Sequence, residues 1–544
     1  MKILENVKNN WKSGITVALV SIPLSISLAV ASQASPVDGI ITAVWAGLLA
    51  SIFGGSKFNI VGPTGALSGI LAAYALMHGA GDLAIIAVLA GILVLIAYFL
   101  KLERYLVFVP ASAIHGFTLG VAIIIALNQL GYATGISGLK HHERLLDNVV
   151  ETLKHINQLD VTTFAVFSLF LAALFGLLKI APRIPAVIAL TPVGILLGFL
   201  TTAQKLPFQL QTLQMKFGEL SMTLFQAERW SFNHTMILPA FAVALIAILE
   251  TMLSAKIADA MTHTKHDKRK EMLGLGIANI ASGLAGGLPA TAALARTALN
   301  VRSGSTSKFS GTISAVGVAL ISFMLFGAFK FIPLAVVAAI LVFTAVRMVE
   351  IENFSRMFKF DHKEFVLSLL VAAITFYVDP IFGILFGTAA ALILFVDKLT
   401  RGQFELLVNQ EGKREVKQMF EDESIHNIGA SHTLVYSIKG QLAYFNAAAH
   451  VHRFETDLRN YTNVVIRMRE MYYIDIDGIE ALDEIVELVE SKGKRVVITG
   501  VSALIERELL ESRSYQKLTK EHSVFKKTSD ALNELGYHLG AKKV

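Results

Sequence analysis

The sequence predicts an all-α polytopic membrane domain followed by a small α/β domain. Three observations carry that expectation. Of 544 residues, 54% are hydrophobic and only 17% charged, whereas a soluble chain carries about a quarter charged residues. The charges are unevenly spread: residues 1–401 hold 29 of the 48 Lys and Arg, nearly all between long apolar runs, and beyond about 402 the composition is that of an ordinary soluble domain. From about residue 431 the hydrophobic period changes to short alternating segments and one helical stripe. The expected domains are therefore a membrane domain at 1–401, a linker at 402–430 and a compact α/β domain at 431–544.

A hydrocarbon layer about 30 Å thick takes roughly 20 apolar residues per helix. The apolar runs place spans at 13–34, 38–54, 62–77, 81–100, 106–130, 161–178, 184–202, 235–260, 271–287, 290–302, 309–328, 332–349, 365–378 and 381–397, fourteen in all. The first run, Ile15 to Ala34, is too long for the apolar region of a cleavable signal peptide and reads as a true span. With an even count and the N-terminus inside, the inside loops hold 20 Lys and Arg and the outside loops 7. That asymmetry is the one cytoplasmic loops show. It puts the N-terminus and the C-terminal domain in the cytoplasm of a cell with a plasma (inner) membrane. Lys265, Lys268, Arg269 and Lys270 fix the end of the eighth span inside; their alternative role is binding anionic lipid.

Two short spans share an unusual opening. One begins Gly62-Pro63-Thr64-Gly65-Ala66 and the other Gly287-Leu288-Pro289-Ala290-Thr291-Ala292-Ala293. Pro suits a helix start because its missing N–H would have no partner there. Val109-Pro110 and Ile332-Pro333 repeat the correspondence two spans later. Each matched pair lies seven spans apart, and an odd spacing makes the halves insert with opposite topology, as in a 7+7 inverted-repeat transporter. Helices that begin inside the membrane leave their first N–H groups unpaired and present a positive dipole end. Two of them facing each other favour a small anion, approached closely past Gly65, Ala66, Ala292 and Ala293. The expected anion-binding set is Pro63, Thr64, Gly65, Ala66, Thr291, Ala292, Ala293 and Arg296. The alternative is that Gly-Pro marks ordinary loops.

Ionisable groups within spans are costly. Glu250 lies deep in span eight with Ser254 one turn on, and this pair is the candidate for ion coupling, with H+ (or Na+) as the coupling ion. Arg296 supplies fixed positive charge behind the anion, or pairs with Glu250 when the site is empty. The competing reading is a static Glu–Arg bridge that only holds two helices together. Lys256 and Asp259, at i and i+3, read as a structural pair.

With these residues in view, the chain resembles the SulP family of sulfate-permease-type anion transporters. The resemblance rests on Asn59 to Gly65, Pro23, Ala258 to Thr262, Glu271 to Gly276, Asn279 and Gly283 to Gly287. It implies the uracil-permease-like arrangement of seven plus seven spans, a core and a gate, a cytoplasmic STAS domain and a homodimer. It implies sulfate, bicarbonate, chloride or dicarboxylates as substrate, with Glu250 beside the two span starts. Many members have Gln after the first-span proline, where this chain has Leu24. Glu250 with Arg296 resembles the proton-coupled or exchanging branch rather than sodium–bicarbonate symporters.

In the tail, Thr433–Ile438, Val464–Met468 and Arg495–Gly500 read as strands and Gly478–Glu490 as a helix. The stretch Ile474-Asp475-Ile476-Asp477-Gly478 stands where soluble STAS relatives carry Asp-Ser-Ser-Gly and are phosphorylated. Asp475 and Asp477 are the regulatory candidates; the competing reading is that Asp477 with Glu480 caps the helix.

The absence of Cys excludes disulfides, Cys-bound zinc, haem-thiolate and iron–sulfur chemistry. No cofactor, metal, catalytic group or nucleotide motif is expected. The net charge of +6 reflects topology rather than nucleic acid. The function expected is secondary active transport of a small inorganic anion by alternating access. Its rivals are a sodium-coupled bicarbonate symporter, a dicarboxylate transporter, a nucleobase–proton symporter on the same architecture, and a membrane-anchored signalling scaffold.

Overall fold

The computed structural model describes residues 2–536 apart from 137, 140–144, 183, 219–231, 379, 401–403, 411–412, 420–432 and 456–460. It divides into two compact units, Met1–Ala391 and Leu392–Val544.

The first unit is helical. In order come α1 (Lys2–Ala31), α2 (Pro36–Phe53), the two-residue strand β1 (Val61–Gly62), α3 (Gly65–His78), α4 (Leu83–Phe99), α5 (Ala111–Asn128), α6 (Leu130–Thr134), α7 (Leu145–Lys154), α8 (Val161–Ile180), α9 (Ala186–Thr202) and α10 (Leu213–Phe217). They are followed by α11 (Ile237–Thr262), α12 (Lys268–Leu284), the strand β2 (Thr291–Ala292), α13 (Leu294–Arg302), α14 (Phe309–Phe329), α15 (Leu334–Met348), α16 (Ile351–Phe360), α17 (His362–Tyr377) and α18 (Pro380–Thr400), whose residues from Leu392 on belong to the second unit. Local sequence explains the punctuation. α2, for example, starts on a reciprocal cap: Val37 N donates to Ser35 Oγ (3.3 Å), Ser35 N donates to Asp38 Oδ2 (3.1 Å), and Pro36 occupies the first turn.

Every expected span contains a helix, but the count of fourteen crossings is not reproduced. Among the described residues, 8 stretches are long and apolar enough to span a membrane. Shorter apolar helices occur at Gly65–His78, Ala186–Thr202 and Phe382–Val396. The physical reason is length: α3 has 14 residues and α13 only 9, about 21 and 14 Å at 1.5 Å per residue, against a hydrocarbon layer of about 30 Å.

The helices pack in two groups. α1, α2, α4, α11, α12 and α14 pack mainly on one another, as do α5, α8, α15 and α17. The groups meet where α3 touches α5 and where α1 touches α9 and α15. Small residues permit close contacts among them: a Cβ on Gly116 would lie 2.3 Å from the Ser368 carbonyl oxygen, and one on Gly283 2.3 Å from that of Ala84. Close approach through small residues is the usual basis of helix packing in lipid.

The second unit carries a six-stranded sheet in the order β4-β3-β5-β6-β7-β8. Its strands are β3 (Phe404–Gln410), β4 (Lys413–Met419), β5 (Thr433–Leu442), β6 (Asn463–Ile474), β7 (Arg495–Thr499) and β8 (Val524–Phe525). β5 to β8 run parallel, while β3 is antiparallel to both β4 and β5. Helices α19 (Ala447–Glu455), α20 (Ile476–Ser491), α21 (Glu506–Leu509), α22 (Arg513–Lys520) and α23 (Thr528–Glu534) accompany it. Tyr436, Phe454, Ile466, Leu482, Ile485 and Ile498 are fully buried at the heart of this core.

Two expectations for the tail change. The stretch 402–430, read as linker, contains β3 and β4, which extend the sheet; 402–403, 411–412 and 420–430 lie outside the described residues. The cap of α20 is Asp475 rather than Asp477: Asp475 Oδ1 accepts from Gly478 N (2.9 Å) and Oδ2 from Tyr444 N (3.1 Å). Asp477 sits in the first turn, where its charge faces the positive end of the helix.

Candidate functional site

The two Gly-Pro stretches meet, but in extended form rather than as helix starts. Val61 pairs with Ala292 and Gly62 with Thr291 in an antiparallel ladder, and Ala293 N donates to Ile60 O (3.0 Å). α3 then starts at Gly65 behind Thr64, and α13 at Leu294 behind Ala293. Thus Pro63 precedes its helix by two residues and Pro289 by five, and Thr291 and Ala292 lie in a strand. Antiparallel pairing of matched segments is what an inverted repeat imposes.

Neither helix has a side-chain cap. The Thr64 hydroxyl, a natural N-cap, instead donates to Glu250 Oε2 (3.1 Å). The first-turn N–H groups of α3 and α13 are thereby left for another partner, with the positive ends of two helix dipoles around them. Thr64, Ala66, Thr291 and Ala292 are all buried. Gly65 sits where a Cβ would be 2.6 Å from Ile125 Cδ1, so the start of α3 lies against α5.

Arg296 is the third residue of α13. It is 2% exposed, among the largest fully enclosed side chains. Its Nη2 donates to the Pro63 carbonyl oxygen, so the charge of one half-helix ties down the lead-in of the other. Nη1 is buried with no partner. Arg296 also lines a small recess with Ser21, Gly47, Val61, Gly311 and Ser314. Among the described residues no ion pair within 4.0 Å joins Arg296 to Glu250, so the static bridge is absent.

Ser254, one turn from Glu250 on α11, bonds to Asn59 and Thr297. Its Oγ lies 3.0 Å from Asn59 Oδ1 and 2.9 Å from Thr297 Oγ1, not on Glu250. Asp259 likewise accepts from Thr264 Oγ1 (2.9 Å) and lies 2.7 Å from His266 Nδ1, with no ion pair to Lys256 among the described residues. Pro23 lies inside α1, and Leu24 beside it offers no polar atom. Asp475 and Asp477 belong to the second unit and its α20 cap.

The bonds that support the site are not evident in a linear reading, although Asn279 is among the residues that carry the family resemblance. Asn279 mimics a third strand: Oδ1 accepts from Ala290 N (2.8 Å), and Nδ2 donates to Ala290 O (2.9 Å) and Leu275 O (3.0 Å). Thr251 Oγ1 accepts from Ala292 N (3.1 Å) and lies 3.0 Å from Thr291 Oγ1. Thr42 Oγ1 accepts from Leu288 N (2.6 Å). These bonds satisfy backbone groups that a two-residue ladder leaves open.

The description "Sulfate permease family" matches residues 7–371, and "STAS domain" matches 423–531. The chain belongs to the sulfate permease family. Among relatives, YvdB of Bacillus subtilis is 29% identical over 528 residues, covering 95% of this chain and 96% of its own length. The bicarbonate transporter BicA of Synechocystis is 25% identical, covering 98% of this chain and 95% of its own. The chloroplastic sulfate transporter 4.1 of Arabidopsis thaliana is 26% identical, covering 95% and 78%. The fold matches that of the murine anion transporter Slc26a9 with a TM-score of 0.82 at 13% identity, over 97% of this chain and 91% of that one. It matches the transmembrane domain of a cyanobacterial BicA with a TM-score of 0.61 at 24% identity, over 69% and 97%. The family thus has a multi-pass membrane unit and a C-terminal STAS domain, as in this chain.

Proposed function

We propose that this family member is a secondary active transporter of small inorganic anions of the sulfate or bicarbonate class. One observation carries the reading: two uncapped half-helix starts, joined by the β1–β2 ladder, lie beside the buried guanidinium of Arg296. Backbone N–H groups, two dipole ends and a fixed cation form a cradle for negative charge. The relatives named for sulfate and bicarbonate transport support the same class.

The binding set is Pro63, Thr64, Gly65, Ala66, Thr291, Ala292, Ala293 and Arg296, with Glu250 as the coupling group. Glu250 is held by Thr64 at the head of α3, so a proton gained or lost there is felt at the first turn of that helix. Proton coupling or exchange follows, and Na+ coupling is the alternative. Alternating access is motion of the α5–α8–α15–α17 group against the group carrying the paired termini. The chain works in the plasma (inner) membrane, as a homodimer, with the N-terminus and STAS domain cytoplasmic; the 20-to-7 asymmetry of Lys and Arg across the loops supports that orientation. The domains proposed are 1–401 for transport and 431–544 for STAS, with β3 and β4 between them joining the STAS sheet.

Uptake of labelled sulfate and bicarbonate into proteoliposomes, under imposed proton and sodium gradients, tests the reading. Saturable uptake that a proton gradient drives, and that Glu250→Gln uncouples from pH, is expected. Uptake competed by uracil would favour the nucleobase rival. No uptake above empty vesicles would overturn the proposal.

A further inference from the structure

Glu271 is a carboxylate 3% exposed near the start of α12, and no part of the mechanism above uses it. Its contacts are short and all from donors. Oε2 accepts from Gly55 N (2.6 Å) and Ser56 N (2.6 Å), and Oε1 accepts from Asn59 Nδ2 (2.6 Å). Among the described residues no Lys or Arg pairs with it within 4.0 Å. A buried carboxylate satisfied by amides alone is a costly arrangement. It holds in place the segment that leads from α2 into β1.

What the carboxylate does beyond that follows from being acceptor-only. The amide of Asn59 must turn its Nδ2 toward Glu271, where the same Nδ2 also donates to Thr251 O (3.1 Å). Oδ1 then faces Ser254 Oγ (3.0 Å), which lies 2.9 Å from Thr297 Oγ1. Thr297 Oγ1 in turn accepts from Ile60 N (3.1 Å). Ile60 is the residue before β1, and its carbonyl accepts from Ala293 N (3.0 Å), the residue before α13. A single chain of hydrogen bonds runs from Glu271 to the lead-ins of both half-helices.

We propose that Glu271 is a positioning residue for the anion site: it orients Asn59 and through it sets the register of the paired α3 and α13 starts. The proposal rests on the transport reading. Glu271→Gln keeps the volume but turns a donor toward either the Gly55 and Ser56 amides or Asn59. In the second case Asn59 must flip and set its Oδ1 against the Thr251 carbonyl.

The test is transport kinetics of full-length protein in proteoliposomes with labelled sulfate and bicarbonate as probes. Wild type reports separately on the transport reading: if it carries neither anion, that reading fails before the variant is measured. If it does, Glu271→Gln is expected to raise KM about tenfold or more with a smaller change in kcat, the effect of one unmatched buried donor. The variant Glu271→Asp keeps an acceptor-only carboxylate, which leaves Asn59 free to hold its Nδ2 toward residue 271 and the Thr251 carbonyl. It is expected to keep a KM closer to wild type than that of Glu271→Gln. A Glu271→Gln protein that folds and keeps the wild-type KM would overturn the proposal. A Glu271→Asp protein that folds but shows the same rise in KM as Glu271→Gln, or failure of both variants to fold, would also overturn it, because the acceptor-only character of Glu271 would then not be what sets the site.

Discussion

Replacing Arg296 tests its place in the anion site. In Arg296→Met the side chain loses its charge and stops short of the guanidinium's position. Two consequences follow from the geometry. The Pro63 carbonyl loses its guanidinium donor, and a hydrogen bond to a charged group contributes about 1.5–3 kcal/mol. At about 1.4 kcal/mol per tenfold, that is roughly a 12- to 150-fold loss of affinity for an anion held by this preorganised cradle. Stability falls as well, because the buried Pro63 carbonyl is left without its donor and the nearby Glu250 without its neighbouring cation. Arg296→Lys keeps the charge but not the planar fork, and is expected to fall between wild type and Met. Gly62→Ala gives a third arm: its Cβ would lie 2.8 Å from Arg296 Nη1, displacing the guanidinium while leaving the charge in the protein. The assay is equilibrium binding of labelled sulfate and bicarbonate to purified protein, with a thermal melt of each variant. An Arg296→Met protein that binds within about threefold of wild type, a margin of about 0.7 kcal/mol, would refute the role given to this residue.

Three further outcomes are expected. Asn279→Leu leaves both backbone groups of Ala290 unpaired in a fully buried setting, at about 1–3 kcal/mol each, so its melting temperature is expected to drop sharply; an unchanged melt would contradict the third-strand role. Gly198→Ala would place a Cβ 1.8 Å from the Phe331 carbonyl oxygen, whereas Gly327→Ala meets nothing within 4 Å. The first should abolish monodisperse protein on size-exclusion chromatography and the second should not, and equal behaviour would contradict the packing. In the STAS unit, burial and then the nearby Arg453 charge push His450 down to about 3. Its folded value lies below the ordinary value of about 6.5, so the unfolded chain binds the extra proton. The stability it contributes is present above about pH 6.5 and is lost as pH falls toward about 3, at up to roughly 1.4 kcal/mol per pH unit. Hydrogen exchange of β5 and α19 in the full chain, corrected for intrinsic rates, should show this acid limb, and His450→Gln should flatten it; the same limb in both would contradict the assignment.

The membrane helices were legible because apolar runs set their positions, and the Gly62-Pro63 and Pro289 stretches marked the interruptions. What those interruptions become was not legible. Two-residue strands give no alternating pattern, so Gly62 and Thr291-Ala292 read as the first turns of helices. What the supports of the site bond to was hidden for another reason. Glu271 meets its donors 212 to 216 residues away in sequence, and only the folded chain brings them together. In the tail, Lys413–Met419 is too polar to signal a strand, and its place comes from pairing with β3. Asp475 and Asp477 are two residues apart with the same side chain, and only the observed helix start assigns the cap to Asp475.

The most direct measurement is where an anion binds. Selenate has the charge and shape of sulfate and scatters anomalously, so crystals of the full chain grown with it locate the ligand independently of any transport assay. The account predicts a selenium peak between Thr64 and Ala293, with selenate oxygens within hydrogen-bond reach of the first-turn N–H groups of α3 and α13. A peak elsewhere in the helical unit, with these two helix starts unliganded at saturating selenate, would contradict it.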